Sequence, residues 1–158
     1  MSPRSIVPLL LLVAVACQSG KGSSTANLAP VPLDPEVSKL RVDSMWQKGL
    51  YDFRKGYYSK ASETFQKVLL EFAPGDPRIP EAHFFLGESY FGSHSQLQAV
   101  REFRKVSDDY PNNPLAPDAL YRAGDAYADL WRKPQLDPTY GRSAVATYTE
   151  LLNRYPDS

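Results

Sequence analysis

The 158-residue chain is poor in the residues that build metal and redox sites. It has one cysteine, Cys17, and two histidines, His83 and His94. A lone cysteine excludes an intramolecular disulfide and a cysteine-cluster zinc site, and two isolated histidines exclude the usual histidine-rich metal centres. Net charge is also missing: 18 Lys and Arg stand against 18 Asp and Glu. That balance excludes a general nucleic-acid binder, which carries a basic excess, and an acidic disordered chain. No aromatic residue precedes Trp46, although the chain holds 10 Tyr, 7 Phe and 2 Trp. The first 45 residues therefore contribute nothing to an aromatic core. Period-two strand patterns are absent as well.

What is present begins with a targeting segment. Arg4 is followed by the apolar run Ile6 to Ala16. A run of this length is too short to span a bilayer, which takes about 20 residues, but suits the apolar region of a secretory signal. Ala14 and Ala16 lead into Cys17. The stretch VAVAC resembles a bacterial lipobox, so residues 1–16 are expected to be a lipoprotein signal peptide and Cys17 the lipidated first residue of the mature chain. By the same resemblance, Gln18 after the cysteine favours the outer membrane. Residues 17–33 are small, polar and proline-containing, which reads as a tether that carries the lipid anchor.

Residues 34–158 read as helices in pairs. Asp34-Pro35-Glu36 is a helix start: Asp caps, Pro fits the first turn and Glu complements the dipole. Apolar residues then recur at spacings of three and four, and Gly56 and Pro74 punctuate the first two helices. Six helices are expected, at about 35–55, 58–72, 79–92, 95–109, 116–131 and 138–154, with Ser95 and Gln98 forming a capping box.

The pairs repeat. Gly49, Gly87 and Gly124 are 38 and 37 residues apart, and Ala61 and Ala99 follow the first two by 12 residues. Phe65 and Phe103 come four later, and Pro74, Pro111 and Pro156 close the units. In the third unit Ala144 and Tyr148 come eight residues late, which places an insertion within 133–138. This is the tetratricopeptide pattern: a small residue where helix A approaches helix B, and a small residue and an aromatic on helix B. The expected fold is all-α, a right-handed α-α solenoid of three such pairs (about 35–74, 79–111 and 116–156) behind the signal peptide and tether.

Catalytic chemistry finds no footing in these residues. His83 falls at a helix-packing position and His94 in a turn, and the paired acids Asp108-Asp109 sit at a helix end where a solvated face is expected. Gly75-Asp76-Pro77 lacks the Gly-Lys-Ser/Thr of a phosphate loop. No cofactor and no metal is expected. The candidate site is a groove instead. Three residues before the repeat glycines stand Trp46, Phe84 and Tyr121; four after the first two stand Phe53 and Phe91. Both positions lie on one side of helix A, which lines the concave surface in this architecture. Five such aromatics would suit extended peptide, with Glu88 and Asp125 at the border to meet a basic group or a backbone N–H. The competing reading is that these rings fill the space between helices.

A lipobox, a polar tether and units ending in Tyr-Pro resemble the BamD (YfiO/ComL) family of lipoproteins from the outer-membrane β-barrel assembly machinery. The most specific stretch is LDPTYGRSAVATYTELLNRYPDS, Leu136 to Ser158. It is similar to that family's third-repeat helix B, entered after an insertion and left through Tyr-Pro-Asp-Ser. The resemblance implies a lipid-anchored scaffold or substrate-binding component, not an enzyme, on the periplasmic side of the outer membrane. It implies β-barrel assembly proteins and unfolded barrel substrates as partners. A different envelope adaptor, for example one coordinating cell-wall synthesis, is the alternative. The chain departs from the family in having Pro138 where Gln is common and three repeats where five are usual. From this and from the wide apolar surface of the last helix (Val145, Tyr148, Leu151, Leu152, Tyr155), the chain is expected to be the N-terminal part of a longer protein.

Overall fold

The structure is a computed structural model that describes residues 34–131 and 138–158. The expected signal peptide and tether, and all of the expected insertion except Pro138, lie outside the described residues. Among the described residues there are six helices and no strand: α1 (Pro35–Arg54), α2 (Tyr58–Glu71), α3 (Ile79–Gly92), α4 (Gln96–Asp109), α5 (Ala116–Leu130) and α6 (Thr139–Arg154). Each packs on the next, and α1 also touches α3. This is the expected all-helical arrangement of consecutive pairs.

Local chemistry explains most boundaries. The Glu36 N–H donates to Asp34 Oδ1 at 2.8 Å, satisfying one of the unpaired donors at the start of α1. Prolines occupy the first turns of α1, α3 and α5, where a missing N–H costs nothing. After α1 the chain turns through Gly56 at φ +76°, a left-handed conformation that a side chain would disfavour. One expectation fails here. Ser95 is the N-cap of α4, but its hydroxyl makes no capping bond. The Ser95 N–H already donates to the Tyr90 carbonyl at 2.8 Å across the turn at His94. The reciprocal bond of a capping box therefore has no free donor to reach.

The repeat glycines pack as their spacing requires. A Cβ added at Gly49 would come within 2.8 Å of the Phe65 ring, and one at Gly87 within 2.7 Å of the Phe103 ring. Gly124 faces Tyr148 in the same way. A mid-helix glycine costs roughly 1 kcal/mol of propensity against alanine, and here it lets an aromatic of helix B lie directly on helix A. Around these contacts the buried residues form two clusters. One holds Val42, Trp46, Phe65, Val68, Phe72 and Leu86; the other holds Val100, Phe103, Val106, Ala119, Ala123 and Ala126.

Candidate functional site

A cleft of about 380 Å³ opens across the A helices of all three pairs. Phe53 comes from α1, Glu88 and Phe91 from α3, and Arg122 and Asp129 from α5; Tyr58 and Gln96, at the starts of α2 and α4, and Gly92 and His94, at the end of α3 and in the turn after it, complete the walls. Three of the residues expected on the groove therefore meet in it: Phe53, Glu88 and Phe91.

The aromatics three residues before each glycine do something else. Trp46 is only 6% exposed and packs edge-on against Phe65, with centroids 5.5 Å apart. Phe84 is half-buried and packs edge-on against Phe103 at 5.6 Å. Tyr121 pairs with Tyr148 at 5.8 Å. In each unit this ring covers the helix-B aromatic that faces the repeat glycine, so it belongs to the packing within the pair. The expectation that Trp46 is accessible is thus overturned, and Phe84 and Tyr121 do not line the cleft. Tyr121 remains half-exposed, on the last pair of the stack.

Electrostatics at the cleft centre on Arg122, which sequence reading missed. Its guanidinium lies 4.4 Å from the centre of the Phe91 ring. Nε and Nη2 donate to the two oxygens of Glu88, the latter at 2.9 Å, and Nη1 donates to Asp125 at 2.8 Å. The hydrogen bond to Glu88, ahead of the opposing effect of burial, pushes the Arg122 pKa further up, so the side chain is a fixed cation. Asp125 also accepts from the Tyr148 hydroxyl at 2.8 Å. Burial first, and then that bond, push the Tyr148 pKa up. Glu88 and Asp125, expected as acceptors for a ligand, are therefore engaged with Arg122. The sequence carried no signal for this: Arg122 shares its repeat register with Gln47 and with Phe85, a partly buried ring packed against the first cluster, so no apolar pattern marks the position.

A second polar group lies between α3 and α4. His83 Nδ1 is 2.7 Å from Glu102 Oε2, and the Lys105 ammonium donates to both Glu102 oxygens at 3.1 Å. Burial raises the Glu102 pKa, but the bonds to His83 and Lys105 outweigh it and hold the carboxyl below its usual range. This arrangement satisfies a buried acid at a helix interface.

The model of a family described as YfiO, outer membrane lipoprotein, matches residues 39–158. Among curated proteins, the chain is similar to the putative outer membrane protein assembly factor BamD of Aquifex aeolicus (strain VF5). The two are 29% identical over 96 residues, which are 60% of this chain and 31% of that relative. The match thus spans less than a third of the relative's length.

Proposed function

The chain belongs to the YfiO family of outer-membrane lipoproteins, and from that premise we propose that it is a lipid-anchored scaffold of outer-membrane protein assembly that holds unfolded client segments in its cleft. The protein resides at the outer membrane as its family does. In this reading Cys17 carries the lipid and the folded pairs face the periplasm. Barrel precursors and the proteins that insert them are the partners, and the work is binding, not catalysis.

The observation that carries the client-binding role is the meeting of Phe53 and Phe91 in one open cleft over three A helices. Strands of a β-barrel alternate apolar and polar side chains and carry girdles of aromatics. Two rings on successive A helices can take such side chains from an extended segment. Arg122, stacked on Phe91, presents a flat guanidinium that completes the apolar wall while its charge is met by Glu88 and Asp125.

The test compares Phe53→Ala and Phe91→Ala with Phe103→Ala in binding a peptide from the last strand of a barrel protein, alongside thermal unfolding. Removing a fully buried ring such as Phe103 costs about 3–5 kcal/mol of stability. The two cleft variants are expected to lose at least about tenfold in affinity, or 1.4 kcal/mol, while destabilising the fold far less than Phe103→Ala. Unchanged peptide affinity in both cleft variants would overturn the reading.

A further inference from the structure

The outward face of α1 carries a second surface. The repeat register shows what is unusual about it. Ser44, Lys48 and Tyr51 stand where α3 has Ala82, Leu86 and Ser89 and α5 has Ala119, Ala123 and Ala126. Those six are buried, whereas Ser44, Lys48 and Tyr51 are exposed. At 100° per residue, Val37, Leu40, Ser44, Gln47, Lys48 and Tyr51 share an arc of about 100°. None of them is acidic. Three further basic residues adjoin the arc: Arg41, paired with Glu71, Arg54, and Lys55, whose ammonium lies 5.7 Å from the Tyr51 ring centre; one exposed acid, Glu36, adjoins it in the first turn. Lys48 itself is paired with the buried Asp52.

A terminal helix that served only to keep a solenoid soluble would turn a polar face outward. This one exposes Val37 by 51%, Leu40 by 67% and Tyr51 by 52%. Aliphatic side chains, a tyrosine with a polar tip and long basic side chains form the composition of a helix that lies in a bilayer interface. The membrane is at hand, because the family is one of outer-membrane lipoproteins. The helix begins at Pro35, directly after the segment that leads back to Cys17. Its basic flank is complementary to negative headgroups.

We propose that the Val37, Leu40 and Tyr51 face of α1 rests on the anionic phospholipid surface of the membrane to which the lipoprotein is anchored. With that face down, the later pairs stack away from the bilayer and the cleft stands open beside it. The inference rests on membrane attachment and not on client binding, so the two can fail separately.

The test uses the lipidated full chain in vesicles of phosphatidylcholine and phosphatidylglycerol with brominated acyl chains, which quench nearby tryptophan. Leu40→Trp is compared with Leu70→Trp, a control on α2 that is 86% exposed, each read as emission above that of the parent chain. Both sites are on the surface, and circular dichroism checks the fold. The added emission at position 40 is expected to fall about twofold or more, and that at position 70 by less than about a tenth. Adding Lys48→Glu and Lys55→Glu to Leu40→Trp is expected to remove most of the quenching. Equal quenching at the two positions, or none at position 40, overturns the proposal.

Discussion

At the scale of single residues, the three repeat glycines show how two opposing terms are decided by geometry. Replacing Gly87 with alanine gains roughly 1 kcal/mol of helix propensity. It also sets a methyl group 2.7 Å from a Phe103 ring that is wholly buried, so the ring or its neighbours must shift. Overpacking of this kind costs typically 1–3 kcal/mol, so Gly87→Ala is expected to be net destabilising, and its midpoint in urea should fall with an unchanged slope. A midpoint at or above that of the parent would show that the ring can move aside. The same scale explains why the site was half legible in the sequence. Trp46 and Phe53 are seven residues apart on one helix, and that spacing placed them correctly on one side. What spacing does not contain is the neighbour each ring meets. Phe65 on helix B captures Trp46, while Phe53 reaches the edge of the pair, where the cleft begins. Arg122 was hidden for a related reason, because its role depends on Glu88 from the preceding pair, 34 residues away.

At the scale of elements, all six helices were legible to within one residue at every end, because a small set of devices marks them: Asp34, the first-turn prolines, Gly56 and the three-and-four apolar spacing. The capping box at Ser95 was misread because a tight turn had already used the N–H that it needs. The last helix is the exception to the uniform packing. Val100 on α4 is 5% exposed beneath α5, and its counterpart on α6, Val145, is 64% exposed. Leu152 on α6 is 70% exposed, while its α4 counterpart Ser107 is fully buried. The helix packs on α5 and is joined to α4 through polar bonds, Arg104 to Glu150 at 2.7 Å and Arg154 to Asp108 at 3.0 Å. Partly exposed ion pairs of this kind contribute at most about 1 kcal/mol each. Local opening follows local burial, so amides of α6 are expected to exchange with deuterium faster than those of α2 and α4, which lie between two helices. Equal protection in all three would mean that the polar bonds hold α6 as firmly as a covering helix does.

At the scale of the whole molecule, position depends on the segment before α1. Residues 18–33 show no helical or strand periodicity in their sequence, which reads as the expected tether. In the proposed arrangement such a tether lets α1 meet the headgroups and leaves the cleft in the periplasmic space. That arrangement requires the proposed lipid at Cys17. No helix among the described residues is long and apolar enough to cross a membrane, and the α1 face exposes only a few apolar side chains. Acyl chains contribute about 0.8 kcal/mol per buried methylene, and more than one chain makes the attachment stable. A surface held by a handful of lysines and arginines is instead released by salt, because screening shortens to about 3 Å at 1 M. The two contributions therefore separate cleanly. Cys17→Ser is expected to move the protein from the membrane fraction to the soluble periplasmic fraction after a 1 M salt wash, while at low salt a residue of it stays bound through α1. The parent chain should remain with the membrane under both conditions. A Cys17→Ser protein that still sediments with membranes after the high-salt wash would show that the anchor lies elsewhere than at Cys17.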